Sequence, residues 1–286
     1  MTSAGGFART PSQHHAGSLP SWVGPRPIVD APRRAFVAQI MGLPISVHVR
    51  GPQANEPQVA NAVDTAFAEL RADDRLFSTY RSDSAVRRIQ RGELRLGDAG
   101  PRVATVAALC EEAAERTDGA FSAWLPGPDG RQVFDPTGLV KGWAVEQAFD
   151  WLMERLAALD AHDVLMSAGG DIVVACTRTD TPDWSIGIED PRDRNRLLMN
   201  VPLRRGAVAT SGIAARGQHI VNPSTGRPPT ALLSATVIGP SLTWADVYAT
   251  AAFVKGPEAK TWMSTVTDHA CVLVGATGVA DLVSPH

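Results

Sequence analysis

Phe134-Asp135-Pro136-Thr137-Gly138-Leu139-Val140-Lys141-Gly142-Trp143-Ala144-Val145-Glu146 reads as a strand end, a short loop and a helix start. Pro136 ends extended structure, and Thr137 belongs to the residue types that cap helices. Beyond it, Ala144, Ala148, Leu152, Leu156 and Leu159 recur at helical spacing, which predicts one helix to about Ala158. A helix start favours anions, because its free N–H groups and dipole are positive. Asp135 and Lys141 flank this start, and Gly138 and Gly142 let a ligand approach the backbone. The same residues also suit an ordinary strand-to-helix connection with two solvated charges.

Upstream, Phe36 to Val49 reads as two strand arms interrupted at Met41-Gly42, with clear alternation from Ile45. Val59, Val63, Phe67 and Leu70 predict an amphipathic helix over Pro57–Arg71. Phe77 to Tyr80 is expected to be a loop, and Ser82-Asp83 to cap a short helix ending near Ile89. Pro101 opens another helix, stopped by Asp118-Gly119. Downstream, Gly169-Gly170 between Val164–Ser167 and Ile172–Ala175 is a hairpin signal. Further strands are expected at Trp184–Ile188, Leu197–Val201, Ala207–Thr210, His219–Val221, Leu232–Ile238 and Ala270–Val274, with helices from Thr243 and Glu258. Helices and antiparallel-type strands do not alternate strictly, so the fold class is α+β.

The chain has 286 residues, of which 44% are hydrophobic, so it can bury a sizeable core. Lys+Arg 27 against Asp+Glu 30 gives a net charge of −3, and no basic bias points to a nucleic-acid partner. Cys110, Cys176 and Cys271 are far apart and form no CxxC or Cys/His cluster, so they read as reduced core thiols. Residues 1–35 carry Pro, Gly, Ser and His without the apolar stretch of a signal peptide, and read as a flexible leader. No apolar run is long enough to span a bilayer. A cytoplasmic protein is therefore expected.

Two patterns can carry chemistry. Asp246 and Thr250 lie four apart on a predicted helix, so both oxygens leave one face and suit a hard divalent cation. Thr243-x-x-Asp246 equally fits a capping box. His219, in His219-Ile220-Val221-Asn222-Pro223, has a side chain suited to proton transfer near neutral pH, although a histidine there can also be structural. There is no Walker loop, GxSxG elbow or GxGxxG.

Taken together the motifs resemble the ApbE family, flavin transferases that attach FMN from FAD to a protein. The resemblance runs from about Ala35 to Val274. It rests, in order, on Met41-Gly42-Leu43-Pro44, Phe77–Ser84, Gly119-Ala120-Phe121-Ser122, Asp135–Gly142, Gly169–Ile172, Ala207–Gly212, His219–Gly226 and Ala245–Thr250. It implies an ApbE-like, T-fold-like α+β architecture and a single flavin transferase domain over 36–286. It also implies that Met41, Tyr80, Ala120, Phe121, Ser122, Asp135, Lys141 and Ile220 contact FAD. Asp246 and Thr250 would bind Mg²⁺ with a backbone oxygen near Gly138, and His219 would sit near the reacting phosphate. The partners implied are FAD and an acceptor protein, with no membrane anchor in this chain. An Mg²⁺-dependent FAD pyrophosphatase and a non-catalytic flavin-binding protein are the alternatives.

Overall fold

Ile45, Val47 and Val49 alternate with polar neighbours, and this period of two becomes a β-hairpin in the computed structural model, which describes residues 31–127, 130–159, 162–213, 217 and 220–284. Strand β1 (Arg33–Ile40) pairs antiparallel with β2 (Leu43–Arg50), from Arg33↔Arg50 to Ile40↔Leu43. The chain turns at Met41 and Gly42, whose φ values are 56° and 71°. Two positive φ values match the tight hairpin turn that follows strand twist. Glycine adopts them freely, whereas methionine does not. The Met41 N–H donates to Asp74 Oδ2 at 3.2 Å, which holds the turn in place.

Helix α1 (Pro57–Phe77) runs past the expected end at Arg71, because its buried stripe continues from Leu70 through Asp73 to Phe77. Helix α2 (Ala85–Gln90) is capped by Ser84 and not by Ser82-Asp83. Ser84 Oγ accepts the Arg87 N–H at 3.1 Å and donates to the Ser78 carbonyl at 2.6 Å, so it closes both the loop and the helix end. Helix α3 (Pro101–Arg116) starts and stops as its Pro and Asp118-Gly119 signals predict. Strands β3 (Trp124–Pro126) and β4 (Gln132–Phe134) form a small separate sheet. Helix α4 (Thr137–Ala157) follows directly.

Strands β5 (Asp163–Ala168) and β6 (Asp171–Ala175) form the Gly-Gly hairpin, and β7 (Trp184–Asp190) pairs with β8 (Asp193–Leu203) as a second one. Strand β9 (Arg205–Gly212) precedes β10 (Leu232–Gly239). Ile220-Val221 is irregular and not a strand: Asn222 starts a tight loop, its N–H bonded to the Arg227 carbonyl and its Oδ1 to the Ser224 N–H. His219 lies outside the described residues. Helix α5 (Leu242–Lys255), helix α6 (Ala259–Met263) and strands β11 (Ala270–Gly275) and β12 (Ala280–Val283) complete the order. Strand β12 escapes sequence reading because it is short and mostly exposed.

Among the described residues the main sheet has eight strands in the order β1-β2-β5-β6-β9-β10-β11-β12, every neighbouring pair antiparallel. Alternate residues therefore serve two cores. Val47, Met166, Val173, Ala209 and Val237 pack with helical residues such as Leu70, Leu152 and Val247. Val174, Val208 and Val272 pack instead with Ile186, Ile188 and Val201 of the β7–β8 hairpin. A buried ion pair ties the hairpin's approach to the sheet. Asp163 accepts from Arg50 Nε and Nη2 at 3.0 and 2.9 Å, and from the N–H groups of Thr177 and Arg178. The Arg50 guanidinium also stacks 4.4 Å from the Trp184 ring. Such a buried pair persists because its remaining polar atoms are satisfied. Among the described residues no helix is long and apolar enough to cross a membrane.

Helix α5 is also not capped as the sequence suggests. Its N-cap is Ser241, whose Oγ accepts the Trp244 N–H at 3.3 Å. Thr243 lies inside the helix, so Thr243 and Asp246 do not form a capping box. The N–H groups of Leu242 and Thr243 go to the Glu146 carboxylate of α4 at 3.0 and 3.1 Å, and the hydroxyls of Ser241 and Thr243 join them. A carboxylate there satisfies orphan donors and answers the helix dipole. Glu146→Ala should cost about 2–3 kcal/mol in urea unfolding, more than the roughly 1 kcal/mol expected for Ser241→Ala. A loss below about 0.5 kcal/mol for Glu146→Ala would show that this cap contributes little.

Candidate active site

At the start of α4 the side-chain oxygen comes from Asp135 and not from Thr137. Asp135 Oδ1 accepts both the Thr137 N–H at 3.0 Å and the Thr137 hydroxyl at 2.6 Å. The Asp135 N–H in turn donates to the Ala123 carbonyl at 2.7 Å, linking the helix start to the segment after α3. Phe121 is buried beside it, with its N–H on Thr117 Oγ1 at 3.0 Å. A Cβ on Gly138 would lie 3.1 Å from the Phe121 ring, so the ring covers the first turn and leaves little room for a side chain.

One turn on, α4 meets α5. A Cβ on the buried Gly142 would lie 3.2 Å from Asp246 Cβ, from Asp246 Oδ2 and from the Leu242 carbonyl oxygen. Glycine is what permits this approach. Lys141, its neighbour, forms ion pairs with Asp171 Oδ2 and, at 3.3 Å, with Asp246 Oδ1. Asp171 and Asp246 are both buried, and the lysine is about four-fifths buried. Asp171 Oδ1 also accepts the Thr210 N–H at 3.0 Å, which locks this carboxylate to β9. On the next turn of α5, Thr250 Oγ1 lies 3.0 Å from Ser211 Oγ.

Asp171, Asp246, Thr250 and Ser211 are all oxygen donors. Among the described residues no three His, Cys, Asp or Glu side chains converge as a ready cage. One or two carboxylates with hydroxyls fit a hard divalent cation that keeps water or phosphate oxygens in its shell. Asp246 and Thr250 were legible in the sequence by their spacing. The Thr210-Ser211-Gly212 hydroxyls are also legible as polar groups in a loop-like context, whereas Asp171 and Glu146 carry no such local signal of a role. Asp171 stands in the Gly-Gly-Asp turn, and the one hint there is an acidic residue opening a strand otherwise apolar through Ala175.

Nearby, a cleft of about 650 Å³ is lined by Gly119, Ala120, Ser122, Trp124, Asn222 and Lys255, among others. Its volume falls in the range of small-molecule sites. It brings Ala120 and Ser122 together with the Asn222-Pro223-Ser224 turn. Ile220 is half-buried and packs on the main core, as does Met41 from the hairpin turn. Tyr80 stands apart from the cleft, 98% exposed on the loop after α1. A second cavity of about 430 Å³ lies against Trp244 and Tyr248, which leave α5 on the face opposite Asp246 and Thr250. Arg116, Trp262 and His269 complete its wall, and burial lowers the His269 pKa.

The model of the ApbE family matches residues 41–126 and 123–273. An FAD:protein FMN transferase of Klebsiella pneumoniae is 27% identical over 67% of this chain and 70% of its own. One from Escherichia coli K12 is 26% identical over 72% and 74%. The apo flavinyl transferase ApbE of Pseudomonas stutzeri superposes with a TM-score of 0.73 at 25% identity, covering 89% of this chain and 95% of that one. The ApbE protein of Thermotoga maritima gives a TM-score of 0.75 at 20% identity over 88% and 97%, a likeness of fold. Since the family model takes in both the α4 start and the Asp246–Thr250 turn of α5, the chain belongs to the ApbE family.

Proposed function

We propose that this chain transfers FMN from FAD to a Ser or Thr hydroxyl of an acceptor protein, releasing AMP, with Mg²⁺ bound. The observation that carries the reading is the buried set at α4 and α5: two carboxylates, Asp171 and Asp246, face one ammonium, Lys141, beside two hydroxyls. Two negative charges against one positive charge leave a place for a cation, and the relatives named above supply the reaction class.

Asp246 and Thr250, with a backbone oxygen at Gly138, would hold Mg²⁺, which when bound neutralises phosphate charge as a Lewis acid. The first turn of α4 and the Lys141 ammonium attract the pyrophosphate. Met41, Tyr80, Ala120, Phe121, Ser122, Asp135 and Ile220 are assigned to the FAD-binding surface. The acceptor hydroxyl oxygen attacks the FMN phosphorus, the bond to the AMP oxygen breaks, and the hydroxyl proton passes to His219 as general base. Positioning and charge neutralisation carry most of such a transfer. Residues 36–286 act here as one domain behind a leader over 1–35. The compartment proposed is the cytoplasm, supported by three cysteines that form no disulfide.

Incubation with FAD, Mg²⁺ and Ser/Thr-containing acceptor proteins should release AMP in step with a protein mass gain of one FMN ester. AMP release as FMN forms, without that mass gain for any acceptor, would move the chain to the pyrophosphatase class. Asp246→Asn should cut transfer at least about a hundredfold, since a ligand charge is lost at a phosphoryl centre. Its melting temperature should barely change, because Ser241 and Glu146 cap α5 without it. A fully active Asp246→Asn protein would sink the metal assignment. Gly142→Ala should cost about 1–3 kcal/mol by forcing α4 from α5, and should weaken transfer even well below its melting point. Unchanged stability would mean that the two helices separate freely at this contact.

A further inference from the structure

We infer that Lys141 serves as a built-in counter-cation that competes with the divalent metal for Asp246, and that Asp171 is the positioning residue that receives the ammonium when the metal binds. The inference rests on the metal reading above and goes beyond it. Lys141 Nζ contacts Asp171 Oδ2 and lies 3.3 Å from Asp246 Oδ1, so one ammonium is shared between two buried carboxylates. The two partners are held differently. Asp171 is fixed at the start of β6, with its second oxygen on the Thr210 N–H at 3.0 Å. Asp246 stands on α5 against Gly142, where the missing Cβ lets its carboxylate lie close to α4.

A cation that takes Asp246 as ligand therefore faces a positive charge next to that ligand. Like charges at such range repel strongly in a partly buried site. Lys141 need not leave the site to relieve this. It keeps its closer carboxylate, Asp171, and gives up the longer contact. The ammonium then stays beside the α4 start, where it can meet an anionic phosphate. The arrangement has two consequences. Without metal, Asp246 is not left as an isolated buried charge, which would be strongly destabilising. With metal but no nucleotide, binding is weakened by the charge it must displace.

The test is Mg²⁺ titration by calorimetry on the full chain without FAD, together with thermal melts in chelator and in saturating Mg²⁺. Lys141→Met should bind Mg²⁺ at least about tenfold more tightly than the parent. Its melting temperature should fall in chelator and recover in Mg²⁺. Lys141→Arg keeps the charge and should stay within about threefold of parental affinity. Asp171→Asn leaves the ammonium to Asp246 and should weaken Mg²⁺ binding several-fold. Equal or weaker Mg²⁺ binding by a folded Lys141→Met overturns the competition, while parental Mg²⁺ binding leaves the metal reading standing. Should Lys141→Met fail to fold in chelator, refolding into Mg²⁺ gives the same titration by back-extraction. Tighter binding by Asp171→Asn also overturns the proposal. No Mg²⁺ uptake by any of these proteins, with transfer persisting in chelator, overturns this inference and the metal reading together.

Discussion

The site depends on how closely α4 and α5 can approach. Gly142 sets that distance, because any side chain there would press on the Leu242 carbonyl and on Asp246. One turn along the same helix, Glu146 takes the free N–H groups at the start of α5. One face of α4 thus supplies an absence of atoms at one level and a negative charge at the next. The first lets α5 in, and the second fixes its end. Lys141, immediately before Gly142, then has little choice of position: the two nearest carboxylates, Asp171 and Asp246, are both anchored to other elements. Charge placement at this site is a result of helix packing, and the polar residues inherit it.

Much of this was legible before the fold was known, and the parts that were not have physical reasons. The Gly169-Gly170 hairpin and the Met41-Gly42 break are local, because turn chemistry is written in adjacent residues. The α5 cap is not legible locally, since Thr243-x-x-Asp246 satisfies the same pattern as a true capping box, while the group that occupies those donors, Glu146, is distant in sequence. Ser84, and not Ser82-Asp83, is the cap for a similar reason: its hydroxyl both accepts the Arg87 N–H and reaches back to the Ser78 carbonyl, a geometry the neighbouring residue types do not reveal. At the site, Asp246 and Thr250 followed from helical periodicity, a short-range rule. Asp171 could not, because its role depends on β6 lying beside α4, which is a matter of sheet order. The β7–β8 strands were seen, but nothing in their alternation says that they cover the sheet's second face.

That second face has a consequence for motion. The β7–β8 hairpin forms its own small sheet and its own apolar cluster, and it meets the main sheet through Val174, Val208 and Val272. None of those valines belongs to the helical core around α4 and α5. A separate apolar cluster makes the hairpin a unit that can open while the layer behind it stays closed. Its amides would exchange with deuterated solvent through a partial opening in which α4, α5 and the inner strands stay closed. Arg50 and Asp163 hold the near end of that unit, and Trp184 packs over the guanidinium at the junction. The far end, at Asp190 to Asp193, is held by the Asp190–Arg192 pair, whose guanidinium packs so closely on Gly278 of the β11–β12 turn that a side chain there would collide with it. A partial opening must therefore release contacts at both ends of the hairpin, the Arg50–Asp163 pair near its start and the Arg192–Gly278 contact at its tip.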